Sequence, residues 1–125
     1  MNGTLFFDGG CGFCTRSRNV LLKLDRTGQI ETEPFQRPGT AERLGIPASR
    51  LPESVWWLDS SGEVYAGAKA ANAALSAALG TRIPFWLYRV PVLRQLQDAI
   101  YRWIAEHRYR FPGTTPYCES NPTAC

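Results

Sequence analysis

The sequence predicts an α/β fold with a central mixed sheet of about four strands, flanked by helices and followed by an additional C-terminal helix. The chain has 125 residues, the usual size of one domain. Its residues are 44% hydrophobic and 20% charged, as in globular proteins. Segments with strand and helix periodicity alternate along the chain. We therefore expect one domain at residues 1–113 and a flexible tail at residues 114–125, which hold little that could pack.

The first predicted strand and helix enclose a turn. Thr4–Phe7 is a short run of residues that favour β structure, and the Asp-Gly-Gly that follows permits a sharp turn. From Phe13 onward, apolar residues recur at helical spacing up to Gly28, which can end a helix. Cys11 therefore falls at the start of this helix, and Cys14 falls in its first turn.

An edge strand and a hairpin complete the predicted sheet. Residues 30–36 alternate weakly between apolar and polar side chains, and Pro34 among them suits the edge of a sheet. Residues 55–58 and 63–65 have strand character and stand on either side of the tight polar turn Asp-Ser-Ser-Gly. This pattern is typical of a β-hairpin. Residues 46–54 are predicted as a loop.

Two helices are predicted after the hairpin. Ala68–Leu79 is rich in alanine, which favours helix, and Gly80 can end it. Pro91 can occupy the first turn of the last helix. The apolar residues of this last helix form a seam at Leu93, Leu96, Ile100, Trp103 and His107. We expect the seam to pack into the core while the neighbouring arginines stay in solvent.

The order of these elements is the arrangement of a thioredoxin-like sheet: a strand, a helix and a strand, then a hairpin and a helix. A right-handed crossover through the first helix would make the first two strands parallel. This topology places the turn that holds Cys11 at the carboxyl end of the first strand.

The segment Cys11-Gly12-Phe13-Cys14 is a C-x-x-C motif set between a strand and a helix, a context that gives this common spacing a redox meaning. At a helix start, unpaired backbone N–H groups and the positive end of the helix dipole favour a thiolate. We therefore expect Cys11 to be the attacking sulfur. Cys14, further into the helix and expected to be less exposed, would resolve the mixed disulfide.

Asp8 is a candidate catalytic residue because it stands at the end of the first strand, shortly before Cys11. Its carboxylate could accept a proton from a thiol, or from a water between them. A residue at this place can equally well bind backbone N–H groups of the turn or cap the helix. The spacing alone leaves both roles open.

Two further cysteines, Cys118 and Cys125, lie in the predicted tail. They could bridge each other, relay electrons to the first pair, or be incidental surface thiols. Four cysteines also permit a zinc site, although only the first pair has tight ligand spacing. An alternative to an enzyme is therefore a non-catalytic zinc-binding or protein-docking module that uses the cysteines structurally. We predict no metal ligands.

The residues from Phe7 to Cys14, F-D-G-G-C-G-F-C, resemble the opening of the DCC family of thiol-disulfide oxidoreductases. Residues 101–110 are similar to the closing pattern of that family, Y-R-x-I-A-x-x-R-Y-R, and the resemblance covers roughly residues 4–111. It implies a thioredoxin-like fold and a dithiol redox function, with Asp8, Cys11 and Cys14 at the name-giving positions. Many members carry Pro where this chain has Gly12.

Thioredoxin-like enzymes generally place a cis-proline opposite the cysteine pair, just before the third strand, where it shapes the substrate groove. Pro52, in Leu51-Pro52, precedes the strand at residue 55 and is the candidate for this position. Cis bonds occur at only about 5% of X-Pro positions, so this expectation rests on the resemblance. Gly12 and Phe13, between the cysteines, are the other candidates for the groove.

The charge pattern and the missing motifs limit the expected partners. The formal charge is +3, and the arginines of residues 82–110 stand among aromatic residues, which could suit nucleic acid or an anionic membrane. We instead interpret the arginines as the solvated face of a helix and predict no nucleic-acid partner. No nucleotide or flavin motif is visible, so we predict no cofactor. The expected partners are a protein or low-molecular-weight thiol or disulfide and an external thiol reductant or reductase.

The expected compartment is the reducing cytoplasm. No apolar run approaches the roughly 18 residues of a membrane span, and no basic and apolar leader precedes the first strand. In such a compartment, a close cysteine pair is more often catalytic or metal-binding than structural.

Overall fold

The structure is a computed structural model that describes residues 2–111 and 113–125, without the side chain of Tyr109. Its strands and helices, in chain order, are β1 (Gly3–Phe7), α1 (Gly12–Leu24), β2 (Ile30–Pro34), α2 (Thr40–Leu44), β3 (Trp56–Asp59), β4 (Val64–Ala66), α3 (Gly67–Leu79), α4 (Ile83–Arg89), α5 (Pro91–Glu106) and α6 (Tyr117–Ser120). Three short 3₁₀ turns lie at Ala48–Glu53, Arg108–Arg110 and Pro122–Ala124. No helix of the described residues is long and apolar enough to cross a membrane.

The four strands form one mixed sheet in the order β2-β1-β3-β4. β1 pairs with β2 in parallel and with β3 antiparallel, and β3 pairs antiparallel with β4. The predicted class, a mixed sheet of four strands flanked by helices and consistent with a thioredoxin-like fold, is confirmed. β2 lies at the edge of the sheet, as the presence of Pro34 predicts. Because β1 and β2 are parallel, their carboxyl ends lie at the same edge of the sheet, where the turn that holds Cys11 begins.

The core lies on both faces of the sheet because neighbouring residues of a strand point to opposite faces. On one face, Leu5 and Trp57 pack against α3; on the other, Phe6 and Trp56 pack with Leu44 of α2. Small side chains allow α3 to approach the sheet closely, and its buried residues are Ala68, Ala70, Ala73, Ala74, Ser76, Ala77 and Ala78.

The expectation that the seam of the last helix packs into the core is wrong. Leu96, Ile100 and Trp103 of α5 remain 55%, 50% and 55% exposed. The helix is rotated so that a second set of residues faces the interior, and that set is Tyr101, Ile104, Ala105 and, just beyond the helix, Arg108. α5 is apolar on two sides, and periodicity alone does not say which side meets the sheet.

The C-terminal segment folds back onto the domain. Helix α6 places the ring of Tyr117 edge-on against Phe7, with ring centroids 5.4 Å apart, and Cys118 is joined to Cys125 by a disulfide. Of a bridge, an electron relay and incidental surface thiols, the structure therefore contains the bridge. Tyr117 gives the segment an apolar contact that its composition does not suggest. The division into a domain at 1–113 and a flexible tail at 114–125 stays a prediction.

Candidate functional site

The cysteine motif stands where β1 ends and α1 begins, as the sequence predicts. Cys11 is the N-cap residue of α1, with extended backbone angles, and its sulfur accepts the backbone N–H of Cys14 at 3.3 Å. The carbonyl of Cys11 accepts the backbone N–H and the hydroxyl of Thr15, at 3.0 and 2.9 Å. Both cysteines of the motif are free thiols. The sulfur of Cys11 therefore lies at the positive end of the helix dipole.

The relative exposure of the two cysteines is the reverse of the expectation. Cys11 is only 1% exposed, whereas Cys14 is partly accessible. The C-terminal part of the chain returns beside Cys11, where the backbone N–H of Thr114 donates to the carbonyl of Gly12 at 3.2 Å. Gly113 lies so close to Gly12 that a side chain at position 113 would collide with the backbone there.

The local environment keeps Cys14 in its thiol form. Its pKa is raised from 9.0 to about 12, first because burial removes water from the thiolate, then because its hydrogen bond to the side chain of Cys11 favours the protonated sulfur. Negative charge at Cys11 and Asp8 raises the pKa further, while the guanidinium of Arg108 opposes the rise. At neutral pH, Cys14 is therefore a hydrogen-bond donor to Cys11.

Asp8 belongs to a buried polar network beside the cysteines. Its Oδ2 pairs with Nη2 of Arg108 at 2.8 Å, and the two side chains are only 9% and 14% exposed. Its Oδ1 accepts the backbone N–H of Gly10 at 2.9 Å and the amide of Gln36 at 2.7 Å. The turn-binding role that was open for Asp8 is therefore present.

Arg108 connects this network to the second cysteine. Its Nη1 donates to the sulfur of Cys14 at 3.9 Å while Nη2 holds Asp8. A buried ion pair of this kind is costly to break, because either charge alone would be left without compensation. The pair fixes a positive charge next to the thiol of Cys14.

Cys14 lies on the wall of a cavity of about 410 Å³ between α1, α3 and α5. Most of the wall is apolar; Phe13, Leu21, Pro52, Ala74, Tyr101 and Ile104 contribute to it. Cys11 is instead grouped with Gly12, Phe13 and Thr114 around a smaller pocket of about 220 Å³. Pro52 therefore lies in the same cavity as Cys14, Gly12 lies in the same pocket as Cys11, and Phe13 lines both.

The expectation of a cis-proline at position 52 is wrong. The described residues contain no cis peptide bond, and Pro52 lies within the 3₁₀ turn Ala48–Glu53. Such a turn is built from trans peptides and accepts the fixed φ of proline. The carbonyl of Leu51 accepts the indole N–H of Trp56 at 3.1 Å, which holds the turn against the sheet.

Three parts of the site are absent from the sequence-based prediction: Arg108, Gln36 and the C-terminal segment. Arg108 continues the inward face of α5 at the spacing of Tyr101, Ile104 and Ala105, and that second periodicity could have indicated it. Gln36 follows β2, whose carboxyl end lies beside that of β1 in a parallel pair. Nothing local to residues 113–118 indicates where they lie.

The zinc alternative depends on whether enough ligand side chains lie close together. No group of three or more His, Cys, Asp or Glu side chains in those ranges could hold an ion. Cys118 and Cys125 are in a disulfide and so cannot act as thiolate ligands. A zinc site made from all four cysteines is therefore incompatible with this state of the chain.

Comparisons with known proteins agree with the site. The model of the DCC1-like thiol-disulfide oxidoreductase family matches residues 5–114. A similar curated protein is "Uncharacterized protein YuxK" of Bacillus subtilis (strain 168), which is 28% identical over an alignment of 121 residues, gaps included, that covers 94% of this chain and 85% of that protein. No solved structure matches the chain. Because the family model covers most of the chain, including Asp8, Cys11 and Cys14, the chain belongs to the DCC1-like thiol-disulfide oxidoreductase family.

Proposed function

We propose that the chain is a thiol-disulfide oxidoreductase that exchanges the Cys11–Cys14 dithiol or disulfide with a protein or low-molecular-weight disulfide. The observation that carries the proposal is the asymmetry of the two sulfurs. Cys11 accepts a helix N–H, whereas Cys14 is held as a thiol that donates toward Cys11. Cys11 is therefore placed to attack as a thiolate, and Cys14 stays protonated until the mixed disulfide has formed.

The first step is attack by the thiolate of Cys11 on a substrate disulfide. A bond forms between the sulfur of Cys11 and one substrate sulfur, and the other substrate sulfur leaves as a thiolate that takes a proton. Cys11 then carries no negative charge and no longer favours the protonated form of Cys14. Two of the causes that raise the pKa of Cys14 therefore disappear when the mixed disulfide forms.

The second step is attack by Cys14 on the sulfur of Cys11. Cys14 loses its proton, the Cys11–Cys14 bond forms, and the substrate leaves as its second thiol, having gained two electrons from the pair. Asp8 is the proposed acceptor of the proton of Cys14, because its carboxylate is close enough to raise the pKa of that thiol. Arg108 would stabilise the transient thiolate of Cys14.

The residues around the cysteine pair would contact the substrate. Phe13 and Pro52 would contact the substrate at the cavity beside Cys14, and Gly12 would allow close approach at Cys11. An external thiol reductant or reductase would return the pair to the dithiol, and the reducing cytoplasm is the proposed compartment.

The proposal is tested by reduction of a protein disulfide with dithiothreitol as the electron source. Cys11→Ser should abolish catalysis, and Cys14→Ser should accumulate mixed disulfides that mass spectrometry assigns to Cys11. Lys23→Ala, a change at an exposed position of α1 that leaves both thiols in place, is the matched control. Full activity of Cys11→Ser would overturn the proposed mechanism.

A docking role has one observation in its favour. α4 and α5 expose large apolar side chains that the described residues do not cover: Ile83, Trp86, Leu87, Val90, Val92, Leu96, Ile100 and Trp103. Such a face is compatible with an oxidoreductase that holds its substrate protein. If Cys11→Ser bound a partner as the unaltered protein does and neither had redox activity, the docking alternative would replace the enzyme.

A further inference from the structure

We propose that the Cys118–Cys125 disulfide is an internal redox partner of the Cys11–Cys14 pair, so that the C-terminal segment carries electrons between the buried pair and disulfides outside. The inference rests on the proposed function, since it requires Cys11 to be a reactive thiol. It assigns a second redox site to the chain. The substrate of the first site would then include the chain's own tail.

Among the residues that the structure describes, three backbone N–H groups of the segment donate hydrogen bonds to the cysteine turn and the first turn of α1. The N–H of Thr114 donates to the carbonyl of Gly12 at 3.2 Å, and the N–H of Cys118 donates to the carbonyl of Gly9 at 2.9 Å. Between them, the N–H of Tyr117 donates to the hydroxyl of Thr15 at 3.1 Å. The segment is thus attached on both sides of Cys11.

The side chain of Tyr117 adds a non-polar anchor beside the disulfide. Its ring packs on Phe7, and the guanidinium of Arg18 lies over the ring at 5.0 Å from the centroid. Because Tyr117 is the neighbour of Cys118, this anchor fixes the start of the disulfide loop. The backbone of Cys118 has little freedom to leave the motif while the ring stays in place.

The sulfur of Cys118 itself lies against the cysteine turn. A Cβ at Gly9 would collide with this sulfur, and the side-chain oxygen of Gln36 is 3.9 Å away from it. Only Gly10 separates Gly9 from Cys11 in the chain. The absence of a side chain at position 9 therefore makes room for a disulfide sulfur next to the reactive turn.

The burial of Cys11 makes an attached disulfide a better substrate than a free one. At 1% exposure, and with residues 114–118 hydrogen-bonded against its turn, Cys11 is less accessible to a protein disulfide than to a disulfide carried by that segment. A disulfide on the covering segment is held nearby at a high effective concentration. In a reducing compartment, moreover, a disulfide is more often transient and catalytic than structural.

The exchange between the two cysteine pairs conserves electrons and needs no oxidant or reductant from outside the chain. The thiolate of Cys11 attacks the sulfur of Cys118, the Cys118–Cys125 bond breaks, and Cys125 leaves as a thiolate that takes a proton. Cys14 then loses its proton and attacks Cys11, and Cys118 leaves as a thiolate that is protonated in turn. The first pair loses two electrons and the tail pair gains two. The tail dithiol can then reduce a disulfide in solvent.

The test uses full-length variants with only two thiols. In Cys14→Ser/Cys125→Ser, Cys11 and Cys118 remain; in the matched control Cys14→Ser/Cys118→Ser, Cys11 and Cys125 remain. Each is equilibrated in glutathione redox buffers, quenched and mapped by mass spectrometry, with circular dichroism to check the fold. We expect an intramolecular Cys11–Cys118 bridge at an effective concentration about tenfold or more above that of Cys11–Cys125.

The results for the two-thiol variants distinguish a failure of the internal relay from a failure of the proposed oxidoreductase function. If Cys11 takes up glutathione but forms no bridge to Cys118, the internal relay is wrong and the oxidoreductase proposal stands. If Cys11 neither bridges nor takes up glutathione in a folded variant, both are wrong. Bridges found only between two molecules also overturn the relay, because the geometry requires the exchange to be intramolecular.

A second measurement uses turnover. Cys118→Ser/Cys125→Ser keeps Cys11 and Cys14 and should reduce a protein disulfide about tenfold more slowly than the unaltered chain. Its control is Ser120→Ala, which changes a side chain of α6 and leaves all four cysteines in place. Equal rates for the double variant and the unaltered chain would overturn the relay, even if the Cys11–Cys118 bridge forms in the two-thiol variant.

Discussion

At the scale of single residues, the proposed chemistry depends on four side chains that contact one another. Asp8 holds Arg108, Arg108 reaches Cys14, and Cys14 donates to Cys11. The first and the last two of these were predicted from the C-x-x-C motif and the aspartate before it. Arg108 was not, because its partner lies a hundred residues earlier in the chain and only the tertiary fold brings them together.

The coupling between the two thiols predicts the effect of removing one of them. Cys11→Ala deletes the hydrogen bond and the charge that raise the pKa of Cys14, while burial continues to raise it. We expect the pKa of Cys14 to fall from about 12 but to stay above 9.0. The pH dependence of its alkylation by iodoacetamide measures this, since Cys118 and Cys125 are bridged. An unchanged profile would contradict the coupling.

The same raised pKa makes stability depend on alkaline pH. The unfolded chain loses the proton of Cys14 near pH 9, whereas the folded chain holds it to about pH 12, so the folded state binds more protons in between. Stability should therefore fall as pH rises through this window, by at most about 1.4 kcal/mol per pH unit from this thiol. Urea unfolding at pH 8 and pH 10.5 should show a smaller fall for Cys14→Ala than for the unaltered chain.

At the scale of the elements, the sequence predicts well those whose signal is local. β1 and α1 follow from a run of β-formers and an apolar period, and the hairpin of β3 and β4 follows from its turn. α4 is missed because it spans only seven residues, about two turns, too few for a period to emerge. The orientation of α5 is missed because both of its sides are apolar.

Substitutions on α5 and α3 should differ in how much they change the free energy of unfolding. Leu96→Ser, on the exposed side of α5, should change the free energy of unfolding by no more than about 0.5 kcal/mol. Ala73→Leu, at a fully buried position of α3, should cost about 1–3 kcal/mol because the close approach to the sheet leaves no room. Urea unfolding at neutral pH measures both, and a large loss for Leu96→Ser would show that the face of α5 is covered in solution.

At the scale of the whole molecule, the C-terminal segment decides access to the site. A chain that ends at residue 113 keeps the sheet and its two cores, and we expect it to fold as the proposed domain boundary requires. Cys11 should then be alkylated faster, because the hydrogen bonds from Thr114, Tyr117 and Cys118 are gone. Peptide mapping after timed exposure to N-ethylmaleimide measures the rate, and an unchanged rate would mean that residues 114–125 do not shield Cys11.

The wide separation of these parts along the chain has a consequence for synthesis. Domains are made from the N-terminus onward at about 5–20 residues per second. Cys11 and Cys14 therefore leave the ribosome many residues before Arg108, which pairs with Asp8 beside them, and before Thr114, which covers their turn. The nascent chain carries two unshielded thiols throughout that interval. The cluster of Asp8, Cys11, Cys14 and Arg108 is complete only once Arg108 and residues 114–118, which are made later, have docked on the first strand and helix.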